Sequence, residues 1–298
     1  MRILVTGGAG FIGSHVADAA VEAGHEVTVL DDLSTGRREN LNAEARFVEG
    51  DLRRDDDLAR ALADRPEAIF HLAAQIDVRK SVADPAWDAD VNVAGTARLL
   101  EAARAHGGGH VIFSSTGGAI YGQTDRLPTP EDELPRPIAP YGTAKYCAEQ
   151  YLWLFDRLHG LPVTALRYGN VYGPRQDPLG EAGVCAIFCQ AKLDGARPTV
   201  FGTGRQTRDY VYVGDVVAAN MAALERGGQG RPFNVGRGEE VSVLDLVEAL
   251  ELAEPVMAPA RPGEADRSCL DPSAASADLG WQATVPLEDG LRRTLASM

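Results

Sequence analysis

The sequence is short of cysteine, of positive charge and of long apolar runs, and each shortage excludes a class of protein. Four cysteines in 298 residues (Cys147, Cys185, Cys189 and Cys269) are too few and too scattered for a disulfide framework. Cys185 and Cys189 stand four apart with no histidine at ligand spacing, so they read as two small buried side chains of a helix. His106 and His110 straddle Gly107-Gly108-Gly109, which breaks any shared helix face, and no metal is expected. Only 29 Lys and Arg stand against 43 Asp and Glu, a net charge of -14. So acidic a chain lacks the cationic footprint that a phosphate backbone requires, which argues against nucleic acid as a partner. No run approaches the ~18 consecutive apolar residues of a membrane span. The start, Met1 to Thr6, gives way to glycine too soon for a signal-peptide core. No G-x-S-x-G run offers an acyl-enzyme nucleophile. These exclusions leave a soluble, cytoplasmic globular protein of one or two domains.

What is present is alternation. Short apolar runs at Ile3–Val5, Val27–Leu30, Arg46–Val48, Ala68–Leu72, His110–Phe113 and Val163–Leu166 are separated by segments of helical spacing, among them Phe11–Ala23, Val91–Ala105 and Tyr141–Leu158. Strands alternating with helices give βαβ units on a parallel sheet, and strands apolar throughout fit a sheet covered on both faces. The fold class expected is α/β, a doubly wound parallel sheet. After residue 167 turn-rich punctuation takes over, as in Tyr172-Gly173-Pro174 and Gly202-Thr203-Gly204. The division expected is a dinucleotide-binding domain over 1–167, with 212–236 returning to it, and a smaller lobe from 168–211 and 237–298.

Gly7, Gly10 and Gly13 form a G-x-x-G-x-x-G run between the first strand and the first helix. Side chains there would block both the tight turn and the approach of a pyrophosphate to the helix N-terminus. Asp31 follows 18 residues after Gly13, at the end of the second strand, where a carboxylate accepts hydrogen bonds from a ribose 2′-hydroxyl. The same charge repels the 2′-phosphate of NADP, and Asp32 doubles it. NAD is the expected cofactor.

Tyr141 and Lys145 stand one turn apart on one helical face. For Tyr141 to act as a base near pH 7, its pKa must fall by about 3 units, or roughly 4 kcal/mol. A neighbouring ammonium and a positive nicotinamide ring act in that direction. Ser114-Ser115-Thr116 ends a strand, where ligands sit in open α/β sheets, and a hydroxyl there can bond both a substrate alcohol and the tyrosine.

Together these stretches resemble the extended short-chain dehydrogenase/reductase family, among its nucleotide-sugar epimerases and dehydratases, with the UDP-galactose 4-epimerase branch nearest. Further stretches carry the likeness: Asp31 to Gly36, His71-Leu72-Ala73-Ala74-Gln75, Val91 to Thr96, Arg167 to Arg175, Arg208-Asp209-Tyr210-Val211 and Arg261-Pro262-Gly263-Glu264. The resemblance implies that Gly7, Gly10, Phe11, Ile12 and Gly13 cradle the pyrophosphate and that Asp31 holds the ribose, with Asp32, Ser34, Thr35 and Gly36 beside it. Asp51 and Leu52 border the adenine, and Leu72, Ala73, Ala74, Gln75, Asn92, Ser114 and Tyr168 complete the cofactor surface. Thr116, Tyr141 and Lys145 match the catalytic triad, Lys145 also gripping the nicotinamide ribose. Toward the substrate, Asn170, Arg208, Arg261 and Glu264 fall on the nucleotide-diphosphate side, and Val184, Val200 and Phe201 border uracil. Seven positions after Arg261, Ser268 reaches the sugar's C2 substituent, where a small side chain leaves room for an N-acetyl group. The resemblance also implies a homodimer through the Val91–Ala105 and Tyr141–Leu158 helices.

The likeness has one departure. Thr116-Gly117-Gly118-Ala119-Ile120-Tyr121-Gly122 is one residue longer than the commonest spacing. Counting from the strand gives Thr116 the catalytic place, whereas counting back from Tyr121-Gly122 gives it to Gly117, which cannot relay a proton. Thr116 is therefore chosen, with Ser115 in reserve. Dehydratase relatives carry Asp-Glu after the threonine, where this chain has Gly117-Gly118, which argues against dehydration. The function expected is interconversion of UDP-glucose and UDP-galactose through a 4-keto sugar. Its alternatives are epimerisation of UDP-N-acetylglucosamine or UDP-glucuronate, and an NAD-binding module without catalysis.

Overall fold

The computed structural model describes the chain apart from residues 179–182, 228–229 and 261–264. Thirteen strands follow in chain order among the described residues. They are β1 (Arg2–Thr6), β2 (Glu26–Asp31), β3 (Arg46–Glu49), β4 (Ala68–His71), β5 (His110–Thr116), β6 (Val163–Tyr168), β7 (Asn170–Tyr172), β8 (Thr199–Phe201), β9 (Thr207–Arg208), β10 (Tyr210–Tyr212), β11 (Pro232–Val235), β12 (Val241–Ser242) and β13 (Val256–Ala258). Seven of them form one sheet in the order β11-β6-β5-β4-β1-β2-β3, every neighbouring pair parallel. Parallel neighbours require crossovers, and the crossover helices cover both faces.

Alternation along the strands divides the core. Ile3, Val5, Val27, Val29 and Phe70 point to one face, where they join the Phe11–Glu22 and Val213–Arg226 helices. Leu4, Leu30, Ile69, Val111 and Phe113 point to the other, toward the Gly95–Ala105 and Pro140–His159 helices. Fully burying an aliphatic or aromatic side chain contributes about 1.5–3 kcal/mol, so both layers anchor the sheet. This is the doubly wound α/β architecture, and its strand order reverses between β1 and β4, the crevice where such sheets bind ligands.

Tyr168, placed in the smaller lobe by the sequence division, is the last residue of β6, and β11 adds to that edge of the sheet. The other six strands make three two-stranded pieces: β10 with β7, β12 with β9, and β13 with β8. Around them lies a third core that includes Tyr172, Phe188, Val200, Tyr210 and Leu246. Cys185 and Cys189 are buried in it, on the Val184–Asp194 helix, and all four cysteines are free. Among the described residues no helix is long and apolar enough to cross a membrane, and no cluster of three or more His, Cys, Asp or Glu could hold a metal ion.

Candidate active site

The phosphate loop leaves β1 and turns into the Phe11–Glu22 helix, whose cap, Gly10, supplies no side-chain hydrogen bond. Its first N–H groups, at Phe11, Ile12 and Gly13, lie at the positive end of the helix, the ordinary anion site of such a turn. Gly7 has φ +71°, and a Cβ there would sit 2.6 Å from the Ala73 nitrogen. Glycine is thus what lets the loop after β1 touch the loop after β4.

Asp31 and Asp32, adjacent in sequence, are separated by their surroundings. Asp31 is buried, its Oδ2 accepting the Ala9 N–H at 2.9 Å and its Oδ1 the Leu33 N–H at 2.8 Å. Burial pushes its carboxyl up, and those two backbone donors oppose the push. Asp32 is exposed and accepts both the backbone N–H and the hydroxyl of Ser34. Asp31 is therefore the carboxylate built into the crevice. Thr35 is exposed and Gly36 half-buried in the same loop. Asp51 is engaged by Arg53 at 2.6 Å, which holds its carboxyl below the usual range, and Leu52 is buried beside it.

Leu72, Ala73 and Ala74 are half-buried along the loop that follows β4. The side chains of Gln75 and Asn92 point into the protein. Asn92 accepts the Gln75 N–H at 3.0 Å and donates to the Gln75 carbonyl at 2.9 Å and to Asp88 at 3.1 Å. Gln75 Nε2 donates to the Asp77 carbonyl and to Asp88. Both amides thus act on the crevice by shaping the 72–75 loop. Beneath it, His71 lies between two threonines. Thr96 gives its hydroxyl proton to the Asn92 carbonyl at 2.7 Å, so it accepts from His71 Nε2 at 3.0 Å. His71 Nδ1 then accepts from Thr6 at 2.8 Å, and Thr6 in turn accepts the Ala73 N–H at 3.2 Å. This chain needs a neutral ring, and burial, with Lys145 adding to it, pulls His71 down to about 3.

Pro140 starts the long helix, and Tyr141 and Lys145 occupy its sheet-facing side. Lys145 is buried, and its Nζ donates to the Ser114 carbonyl at 2.8 Å and sits 4.7 Å from the Phe113 ring centroid. Burial pulls its pKa down to about 8, against the raising pull of Asp88 and Glu149. In the chain alone, burial pushes the Tyr141 phenol well above its usual value, and Asp88 adds to the push.

Alternation along β5 sends the two candidate hydroxyls, Thr116 and its reserve Ser115, in different directions. Ser115 points into the protein and donates to Glu149 at 2.6 Å. Thr116, the last residue of β5, is half-buried and caps the short Gly117–Ile120 helix. Three neighbours surround this turn. A Cβ on Gly117 would lie 2.5 Å from Leu270 Cδ1, and one on Gly118 would lie 3.3 Å from Asn170 Oδ1. One on Gly142 would run into the Ala119 carbonyl, so the catalytic helix abuts the same turn. An acidic side chain at 117, as dehydration chemistry would need, has no room.

On the substrate side, Asn170 sits at the start of β7 and Ser268 is half-buried two residues before Leu270. Arg208 is half-buried in β9 and donates to the Thr207 carbonyl at 2.7 Å. Val184 and Phe201 are half-buried, whereas Val200 is fully buried in the third core. Tyr168 is buried, its hydroxyl bonded to Asn220. Arg261 and Glu264 lie outside the described residues.

Four residues to which the sequence assigned no role are His71 and Arg167, known only as parts of matching stretches, and Asp88 and Glu149. Asp88 is 1% exposed, faces Tyr141 and Lys145, and has one oxygen, Oδ2, without a hydrogen-bond partner. Its only sequence signal is the Asp84-Pro85 helix start four residues earlier. Glu149 continues the Tyr141–Lys145 spacing by one more turn.

Comparison with known proteins agrees with this geometry. The model of the NAD dependent epimerase/dehydratase family matches residues 3–236. UDP-glucose 4-epimerase of Mycolicibacterium smegmatis is 48% identical over 306 residues, which cover 99% of this chain and 97% of that relative. The crystal structure of UDP-glucose 4-epimerase with UDP-glucose from Thermotoga maritima is similar at TM-score 0.97 and 50% identity, covering 100% of this chain and 98% of that one. That of the Thermus thermophilus UDP-glucose 4-epimerase complex with NAD has TM-score 0.93 and 44% identity, with coverage of 100% and 98%. A match of that extent, on a crevice carrying this glycine loop and this tyrosine–lysine helix, makes the chain a member of the NAD-dependent epimerase/dehydratase family.

Proposed function

We propose that this protein is an NAD-dependent isomerase that interconverts UDP-glucose and UDP-galactose. One observation supports the reading most directly: full-length similarity at 48–50% identity to UDP-glucose 4-epimerases. The glycine loop accommodates a pyrophosphate at a helix end that its cap leaves open, and Asp31 faces the ribose. Held by the glycine loop and Asp31, NAD would supply a reversible hydride acceptor for C4 of the sugar. The chain's own residues handle the proton and the geometry. Tyr141 removes the proton of the 4-hydroxyl and later returns it, and Thr116 hydrogen-bonds that hydroxyl and aligns it. Lys145 holds the nicotinamide ribose and offsets the phenolate charge. Because burial and Asp88 oppose ionisation of Tyr141, the positive nicotinamide ring is the further charge the base requires. Arg208 and Arg261 neutralise the diphosphate and Asn170 hydrogen-bonds it, while Val184, Val200 and Phe201 border the base. The sugar, held less tightly, turns about its link to the diphosphate.

The finer assignments belong to the same reading. The cofactor domain comprises 1–167 with 212–236 and takes in Tyr168 at the end of β6, and the substrate lobe comprises 169–211 with 237–298. The protein is a cytoplasmic homodimer formed through the Val91–Ala105 and Tyr141–Leu158 helices. Ser268 leaves space at C2 for N-acetylated sugars. The test is incubation of the purified protein with UDP-glucose and separation of the nucleotide sugars by chromatography. UDP-galactose appears without added reductant if the reading holds. No turnover of either sugar, with NAD retained, would leave an NAD-binding module. Turnover of UDP-N-acetylglucosamine or UDP-glucuronate alone would move the substrate class.

A further inference from the structure

Tyr141, Lys145 and Glu149 succeed one another at one-turn intervals on the sheet-facing side of the Pro140–His159 helix. Glu149 is 0% exposed and Arg167, on β6, is 4% exposed. They meet as a fork, Arg167 Nε donating to Oε1 at 3.0 Å and Nη2 to Oε2 at 2.7 Å. Oε1 also accepts the Ser115 hydroxyl at 2.6 Å. The third guanidinium nitrogen, Nη1, donates to the Tyr121 hydroxyl at 2.8 Å and to the Glu131 carbonyl at 3.2 Å. As a source of stability such a pair is poor, since desolvating two charges consumes most of what their attraction returns. Its location suggests another use.

The strand end Ser114–Ser115–Thr116 is tied to the catalytic helix at two points one turn apart. Lys145 Nζ reaches the Ser114 carbonyl, and the Ser115 hydroxyl reaches Glu149. The β6 ladder already fixes the strand within the sheet, pairing Thr116 with Tyr168, and the two ties set the spacing of that strand end against the helix that carries Tyr141. We propose that Glu149, neutralised by Arg167, is a positioning residue for the epimerase reaction, setting Thr116 through Ser115 and keeping the Lys145 ammonium charged. This inference rests on the epimerase reading above.

The groups facing Lys145 are Asp88 from the Pro85–Ala89 helix, His71 from β4, and Tyr141 and Glu149 from its own helix. Beyond Glu149 stand Arg167, Tyr121 and Glu131. His71 is uncharged near neutrality, so Asp88 and Glu149 are what oppose the downward pull of burial on Lys145. Activity that needs the ammonium is present below the Lys145 pKa and lost as pH rises through it. Removing the Glu149 charge lowers that pKa and leaves Arg167 repelling the ammonium as well, so the basic limb of the rate profile moves to lower pH.

The test compares kcat against pH for three variants, with bound NAD and thermal melting as checks on folding. Glu149→Gln, nearly isosteric, should move the basic limb down by about one pH unit. Glu149→Gln with Arg167→Met has the net charge of the native pair and should bring the limb back to within a few tenths of a unit, although the fork is gone. Ser115→Ala keeps the ion pair but loses one tie, and should lower kcat about tenfold with KM and the limb unchanged. An unmoved limb in Glu149→Gln, or a shift that persists in the double variant, overturns the charge role. Native kcat in Ser115→Ala overturns the positioning role and stands even should the arginine variant fail to fold. A native protein inactive on every nucleotide sugar overturns the epimerase reading and this inference with it, whereas turnover with an unmoved limb overturns this inference alone.

Discussion

The cofactor side and the substrate side of the crevice are built by different means. The seven strands of the large sheet run four to seven residues each and are covered on both faces. The strands of the substrate side run two or three residues and pair only two by two. Backbone ladders and buried aliphatics hold the first in place, so the cofactor loops inherit the position of strand ends. Side-chain hubs replace ladders in the second. Asp209, fully buried, accepts the N–H groups of Arg237, Gly238 and Leu270. Asn234, on strand β11 at the edge of the large sheet, ties that side to the loops by donating to the carbonyls of Thr129 and Asp271. The difference suits a reaction in which one ligand stays fixed while the other turns over inside the site.

Tyr141 stands where the two sides meet and should give the largest effect. Tyr141→Phe keeps the ring's packing and removes the proton carrier, so turnover should fall about 100-fold or more while NAD stays bound. A retained rate above about a tenth of the native one, measured by sugar interconversion, would remove Tyr141 from the base role. On the cofactor side, Asp31→Ala leaves the Ala9 and Leu33 N–H groups without their acceptor and removes the charge that excludes a 2′-phosphate. Loss of hydrogen bonds to a charged group is worth about 1.5–3 kcal/mol, so NAD titrations should show binding weakened by tenfold or more and discrimination against NADP relaxed. An unchanged cofactor preference would instead point to exposed Asp32.

A change on the substrate side should be selective rather than general. Ser268→Tyr should suppress UDP-N-acetylhexosamine turnover about tenfold while sparing UDP-glucose, because added bulk clashes with the acetyl group alone. Parallel kinetics on both sugar pairs decide it, equal losses meaning that Ser268 does not reach C2. The smallest effect belongs to surface charge. Arg53→Ala breaks a pair with Asp51 that is one-quarter to one-third exposed, and such solvent-screened pairs contribute little. Melting should shift by no more than ~2 °C. A larger fall would mean that Asp51 and its neighbours brace the cofactor side more than their exposure implies.

The parts of the site legible in sequence are those whose geometry is local. Gly7, Gly10 and Gly13 declare a strand-to-helix turn because only glycine tolerates it, and four-residue spacing alone places Tyr141 beside Lys145. Where partners come from distant segments, sequence was silent or ambiguous. Strand position singles out Asp31 over Asp32, but not its partners, since one of them is the N–H of Ala9, 22 residues earlier. Thr116 is chosen over Ser115 by counting alone, and nothing local shows that Glu149, 34 residues on, engages the serine. Val200 reads like its neighbour Phe201 until strand alternation turns it into the third core. The burial that opposes ionisation of Tyr141 is equally silent in sequence, because a spacing rule counts a helpful lysine but carries no measure of desolvation.

By itself the sequence determined the order of strands and helices, the phosphate turn, the acid at the end of β2 and the tyrosine–lysine helix, since periodicity, glycine tolerance and i, i+4 spacing are properties of neighbouring residues. Tertiary structure alone decided the charge states and the company of those groups. Asp88 beside Tyr141, the single tautomer of His71 and the Glu149–Arg167 fork each depend on desolvation and on hydrogen bonds between segments that only the parallel sheet brings together. Desolvation is set by what surrounds an atom in three dimensions, and no local pattern of residues encodes it.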